Sequence, residues 1–224
     1  MGYDVGGELT NAIRQRPFSV VLFDEIEKAH PRILDKFLQV LDDGVLTSGR
    51  GERVYFSEAF LIFTSNLGIY RMDSSGERVL NVDASEPFAG VQKKVRDEIS
   101  RHFKLTLGRP EILNRIGENI IVLDFIRQPV AEEIFASMLK GILLRVFESQ
   151  GLTVQITPQA ENLLREICLA DLSNGGRGIR NQLEVHFINP LARLIFDVAP
   201  VPSAVLEITG VQRAMVTELI WQIF

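Results

Sequence analysis

Two carboxylates stand side by side at the end of a short apolar run, Val20-Val21-Leu22-Phe23-Asp24-Glu25. Four apolar residues suit a buried strand, and the acids emerge at its C-terminal end, where open α/β sheets place their ligand sites. In a nucleotide site the first acid can hold Mg²⁺ through water. The second can orient or deprotonate an attacking water. The same residues also suit a strand that runs into a solvated acidic turn. A second run, Phe60 to Thr64, leads into Thr64-Ser65-Asn66. If the two strands are neighbours, Asn66 lies beside Asp24 and Glu25, and its neutral amide can hydrogen-bond both a γ-phosphate and a water. Taken alone, an asparagine in a strand-to-loop turn is common.

The elements that must position these groups are legible in the patterning. Ser19 to Phe23, Phe60 to Thr64 and Asn119 to Leu123 read as strands, each a continuous apolar run as expected for a sheet covered on both faces. Between the first two, Ile33, Leu34, Phe37, Leu38 and Leu41 fall on one helical face. Pro31 sits near the start of that helix, where its missing N–H costs nothing, and Asp42-Asp43-Gly44 ends it. Strands alternating with helices predict an α/β layer with a mainly parallel sheet. Residues 67–90 are polar and rich in breakers, which predicts a loop, followed by a helix from Val91 to about Phe103. After Phe125 the pattern becomes helical. Gln128-Pro129 opens a long helix to about Gln150, and Leu152 to Ile156 is a short strand. Thr157-Pro158 caps a further helix. Another helix runs from about Gly178 to Phe196, and Val205 to Ile208 reads as a final strand. Met215, Val216, Leu219, Ile220 and Trp221 form an apolar stripe at helical spacing, suited to packing or a subunit contact. The expected division is an α/β piece over 1–125 and a mainly helical lobe over 126–224.

Composition narrows the function classes. Hydrophobic residues are 46% and charged residues 24% of the 224, a core-forming balance. A net charge of −5 leaves no basic footprint, so no nucleic-acid partner is expected. The single cysteine, Cys168, lies in an apolar helical run and reads as a small buried hydrophobe. A chain without disulfides fits a reducing compartment. No stretch of about 18 apolar residues predicts a membrane span, and Met1-Gly2-Tyr3-Asp4 does not open a secretory leader. The expected location is cytoplasmic.

Val20 to Pro31, with its Asp-Glu-Ile-Glu-Lys-Ala-His-Pro ending, resembles the Walker B segment of Clp-type AAA+ unfoldases and disaggregases. Leu38-Gln39-Val40-Leu41-Asp42-Asp43-Gly44 resembles the stretch that follows it. Phe63-Thr64-Ser65-Asn66-Leu67-Gly68 is similar to the family's sensor 1 strand, Arg109 to Ile116 to its arginine-finger segment, and Gly175-Gly176-Arg177 to its sensor 2 motif. The matches keep the family's order from about residue 2 to 208, and the likeness is to the C-terminal ATPase module of the two-ring members. The resemblance implies a partial AAA+ three-layer sandwich with a helical lid. It implies ATP and Mg²⁺, with Asp24 positioning the metal, Glu25 activating water and Asn66 as sensor 1. Arg115 would act on a neighbouring subunit's nucleotide, and Arg177 would touch the nucleotide of its own subunit from the lid. It further implies a homo-oligomeric ring, a hexamer in this family, acting on polypeptide clients. Tyr3 matches a tyrosine just after the family's central-pore loop. The loop from Asp43 to Arg53, with Gly44, Gly49, Gly51, Arg50 and Arg53, matches a second pore-facing loop, and is equally compatible with an ordinary exposed hairpin.

The chain departs from the family pattern in several places. It contains no G-x-x-x-x-G-K-[ST], the loop whose backbone N–H groups and lysine grip phosphates. In the family that loop precedes the pore loop, so it is expected upstream of Met1, and the chain alone is expected to bind ATP weakly and not to turn it over. The alternative is an ATP-silent interaction or scaffold module on a decayed AAA+ fold. Gly117 replaces the acid that usually follows Asn-Arg-Ile, and Gly176 and Gly178 replace the alanine and proline common around the sensor 2 arginine. Residues 67–90 hold no apolar-Gly-Phe docking tripeptide, since Phe88-Ala89-Gly90 has the wrong order, so a peptidase partner is not expected.

Overall fold

The computed structural model describes residues 7–201, 203–213 and 217–224. Tyr3, Met215 and Val216 lie outside them. The chain divides into two compact units, one ending at Asp124 and the other running Phe125–Phe224.

The first unit begins with helix α1 (Glu8–Gln15), strand β1 (Val20–Phe23) and a 3₁₀ turn (Ile26–Lys28). Helix α2 (Pro31–Asp43) carries Pro31 at its first position, and the His30 side chain accepts a hydrogen bond from the Arg32 N–H. It stops at Gly44 in the left-handed region (φ 64°), a conformation that favours glycine. The hairpin β2 (Val45–Thr47) and β3 (Arg53–Tyr55) follows, then β4 (Phe60–Phe63), β5 (Tyr70–Met72), β6 (Arg78–Leu80), α3 (Phe88–Arg101) with a π turn over His102–Thr106, and α4 (Pro110–Ile116).

The fold is α/β, with β1 and β4 paired in parallel and in register from Val20↔Phe60 to Phe23↔Phe63. Side chains alternate across this sheet. Val21 and Leu61 pack with Ile13, Val40 and Phe56. Phe23, Phe63 and Phe37 of α2 meet as an aromatic trio with ring centroids 4.5–5.3 Å apart. The opposite face does not meet the expectation of a sheet covered on both sides: Val20 and Phe60 are 67% and 66% exposed, because no described element lies over them. A second small cluster, Leu34, Phe103 and Ile112, ties α2 to α4 and the π turn.

Three predicted elements differ. Asn119 to Leu123 forms no ladder, and Ile121 and Leu123 are each 83% exposed. Its composition suits a strand, but a strand exists only through a partner, and this run pairs with none of the described strands. The predicted loop 67–90 contains the antiparallel hairpin β5–β6, whose Arg78 guanidinium lies 4.2 Å from the centre of the Tyr70 ring. The helix predicted from Val91 begins earlier, at Phe88.

The second unit contains α5 (Gln128–Gln150), β7 (Thr153–Ile156), α6 (Pro158–Leu169), α7 (Gly175–Leu183), a π turn (Glu184–Ile188), α8 (Asn189–Val198), β8 (Val205–Arg213) and β9 (Thr217–Ile223). Thr157 caps α6 as expected, accepting from the Ala160 N–H at 3.4 Å. The sheet order is β7-β8-β9, parallel between the first two and antiparallel between the last two. The expected helical stripe at the C-terminus is therefore a strand. Thr217 to Ile223 is rich in β-branched and aromatic residues, and β8 supplies its ladder. One continuous core, including Phe135, Leu164, Cys168, Ile179, Phe187, Leu206 and Ile208, joins helices to sheet. Cys168 is fully buried within it, and burial pushes its thiol up to about 12.

Candidate active site

The ladder between β1 and β4 continues past the strands. The Thr64 N–H donates to the Phe23 carbonyl at 2.9 Å, and the Ile26 N–H donates to the Thr64 carbonyl at 3.0 Å. Asp24 and Glu25 bulge out between these two rungs. Glu25 takes the left-handed conformation (φ 55°, ψ 50°), which an L-residue adopts at a cost of about 1–2 kcal/mol. The Thr64 hydroxyl holds the bulge. It accepts from the Glu25 N–H at 3.1 Å and donates to Asp24 Oδ1. The other Asp24 oxygen has no protein donor among the described residues.

Asn66 is brought to the same strand ends by Glu27. One Glu27 oxygen accepts from the Asn66 N–H at 3.1 Å, and the other accepts from the Ser65 hydroxyl at 2.8 Å. Burial raises the Glu27 carboxyl, but hydrogen bonds from its own N–H, Ser65 and Asn66 outweigh that and hold it below the ordinary value. Gly68, two residues on, has φ +90°, and a β-carbon there would lie 2.9 Å from the backbone of Val95 in α3. The Asn81 side chain bridges the Gly68 and Lys94 carbonyls at 2.8 and 3.3 Å. The asparagine loop is thus pinned from both sides.

A cleft of about 550 Å³ opens over the two acids, lined by Leu9, Leu22, Asp24, Glu25, Lys28 and Phe37 among others, and Asn66 is not part of its lining. The Lys28 ammonium donates to Glu25 at 2.7 Å, and this carboxylate partner raises its pKa. No cluster of three metal-ligating side chains occurs among the described residues. A single free carboxylate oxygen on Asp24 suits Mg²⁺, which keeps most of its waters and takes one or two protein carboxylates besides phosphate oxygens.

Asp24, Glu25 and Asn66 therefore stand just past the C-terminal ends of adjacent parallel strands. Arg115 does not join them. It sits in the last turn of α4, half-exposed, ion-paired with Asp42 near the end of α2. From the start of α2 to Asp42 is about 17 Å of helix, so this arginine is anchored at the far end from the acids. Arg177 belongs to the second unit, exposed in the first turn of α7. Gly178 beside it is buried where a β-carbon would lie 3.0 Å from that of Asn174, which gives this departure from the family pattern a packing reason. The positioning roles of Thr64 and Glu27 were not apparent from spacing. Both lie inside the motif segments, but nothing in their type separates them from neighbouring polar residues.

A model of the AAA domain (Cdc48 subfamily) matches residues 1–119. The chain is 36% identical over 197 residues to the chaperone protein ClpB of Bacteroides thetaiotaomicron, covering 88% of this chain and 22% of that protein. It is 37% identical over 194 residues to ClpB of Nitratidesulfovibrio vulgaris, covering 86% and 21%. To the negative regulator of genetic competence ClpC/MecB of Bacillus subtilis it is 36% identical over 187 residues, covering 83% and 22%. The chain spans about a fifth of the length of these relatives. The family match runs through both strands of the parallel sheet and the helices beside them, and the relatives align with most of the chain: this protein belongs to the Clp-type AAA+ ATPase family.

Proposed function

We propose that this chain is the hydrolysis-and-lid part of an ATP-driven ring motor that unfolds, remodels or disaggregates proteins. The observation that carries the reading is the placement of Asp24, Glu25 and Asn66 just past the C-terminal ends of the paired strands β1 and β4, tied there by Thr64 and Glu27. Asp24 would hold Mg²⁺ through water, which would supply positive charge against the phosphates. Glu25 takes a proton from the attacking water. Its present bond to Lys28 joins two exposed groups, which makes it a weak tie and easily given up. Glu27 holds Asn66 through both its backbone N–H and its side-chain amide, and the amide oxygen and second N–H hydrogen serve water and phosphate. Arg115 leaves Asp42 to meet the nucleotide of the next subunit in a hexameric ring, and Arg177 meets the nucleotide of its own. The phosphate grip comes from a segment outside this sequence. The Asp43–Arg53 hairpin faces the client polypeptide. Neither nucleic acid nor a peptidase is part of this reading. No helix among the described residues is long and apolar enough to cross a membrane, and the cytoplasm is the proposed location.

A second reading is an ATP-silent interaction or scaffold module on the same fold. Mixing variants of the full-length protein separates them. Arg115→Ala is expected to cut hydrolysis about 10³-fold while leaving nucleotide binding nearly intact. Glu25→Gln is expected to bind ATP and not hydrolyse it. A site with Arg115→Ala keeps Glu25 and is completed by the arginine of a Glu25→Gln neighbour, so mixed rings regain activity that neither variant has. Mixed rings that regain nothing would remove Arg115 from the site, and a full-length protein without ATPase activity would leave the scaffold reading standing.

A further inference from the structure

Strand β9 has β8 on one side and no strand on the other among the described residues. Its phase is set at its end, where Val205 and Phe224 exchange both backbone hydrogen bonds, at 3.1 and 2.9 Å. The Thr209 hydroxyl, at the bulge in β8, donates to the Ile220 carbonyl at 3.2 Å, in the same phase. Even-numbered residues of β9 thus turn their N–H and C=O groups to β8. Thr217, Leu219, Trp221 and Ile223 turn theirs to the open edge.

That edge lacks the usual protection. Natural edge strands are blunted by lysine, proline, bulges or short length. Thr217–Ile223 is seven residues long, holds neither lysine nor proline, and its single charge is Glu218. Ile220 is 52% exposed, and Trp221, Ile223 and Phe224 are exposed beside it.

The run Thr217-Glu218-Leu219-Ile220-Trp221-Gln222-Ile223 is chemically near-symmetric about Ile220. We propose that this edge is a homodimer contact, in which β9 pairs antiparallel with β9 of a second copy about a twofold axis through Ile220. Leu219 then faces the partner's Trp221, and Thr217 faces the partner's Ile223. These residues have edge-facing backbone groups, so each pair exchanges two N–H···O bonds. Glu218 faces the partner's Gln222, and Ile220 faces its own copy. Gln222 already donates through Nε2 to Glu207 of β8, and a carboxamide nitrogen carries two hydrogens. The second is available to the partner's Glu218, so the amide bridges two carboxylates across the seam.

The neighbouring registers lack this match. Centring the axis on Trp221 sets Glu218 against Phe224, and centring it on Leu219 sets Glu218 against Ile220, each an ion facing an apolar side chain. The contact is isologous and closes at two copies, unlike the head-to-tail contacts that build a ring. It does not depend on the nucleotide-site reading.

The test uses the chain itself, by sedimentation and light scattering across a concentration series. Dimer is expected, and Ile220→Lys, which sets two ammonium groups on the axis, is expected to give monomer with unchanged far-ultraviolet circular dichroism. Ile220→Cys is expected to give a disulfide-linked dimer under mild oxidation. Cα atoms of a directly opposed non-hydrogen-bonded pair lie about 4.5 Å apart, inside disulfide range, and the native Cys168 is buried. A wild-type chain that is monomeric throughout overturns the proposal. So does a dimer that survives Ile220→Lys, or one that Ile220→Cys fails to link. A dimer lost with Val20→Lys but kept with Ile220→Lys would place the contact on the open face of the β1–β4 sheet instead. If Ile220→Lys fails to fold, the Ile220→Cys link alone decides.

Discussion

The two units bury their apolar residues in different ways. The second gathers Phe135, Leu164, Phe187, Leu206, Ile208 and their neighbours into one core that reaches from α5 to β9. The first divides its buried residues between a cluster around Ile13, Val40 and Phe56 and another around Leu34, Phe103 and Ile112, and leaves one face of its parallel sheet open. Parallel sheets are ordinarily covered on both faces. The unit with the candidate catalytic acids is therefore the one with less internal support, and its precision comes from specific polar ties, Thr64 to Asp24 and Glu27 to Asn66, rather than from depth of burial.

Denaturant unfolding of the chain is expected to show two transitions, the first unit melting before the second, as for separable domains. The largest effect is expected from Phe187→Ala. It empties a site that is 0% exposed and should cost about 3–5 kcal/mol, moving only the later transition. A single merged transition shifted by that change would show the units to be one cooperative body. Gly68→Ala comes next. Positive φ and a β-carbon 2.9 Å from the Val95 backbone predict a loss of about 2–4 kcal/mol, confined to the earlier transition.

Glu27→Gln should act more weakly and with pH. Hydrogen bonds depress the Glu27 carboxyl in the folded state, so its contribution is present above the ordinary value of 4.5 and is lost as pH falls through the lower folded value. The gap in first-unit stability between wild type and Glu27→Gln should be widest near neutrality and close on acidification below 4.5. A gap that is independent of pH would mean the ionised form makes no special bond. Val20→Thr, on the open sheet face, should fall within about 0.5 kcal/mol of wild type. A larger loss would show that something covers this face in solution.

The same contrast explains what could be read from the residues alone. Asp24, Glu25 and Asn66 were legible because two continuous apolar runs each end in polar residues, and parallel pairing of such runs brings their ends together. The cap at Thr157-Pro158 and the helical face of α2 follow from local chemistry. Asn119 to Leu123 did not become a strand because pairing is a property of two segments, and composition describes only one. The C-terminal stripe fits helical spacing, yet Leu219, Trp221 and Ile223 also alternate, and β8 decides between the two periods. Glu27 and Thr64 stayed hidden because their value lies in which atoms face each other across a ladder.

Cys168 has a consequence for kinetics. A thiol reacts as its thiolate, and one pushed to about 12 inside the second unit's core is inert while that core is closed. Any modification of it must pass through an opened state. At low reagent concentration its rate follows the fraction of time the core stands open, and at high concentration it follows the opening step itself. The Cys168 thiol thus serves as a clock on opening of the second unit's core.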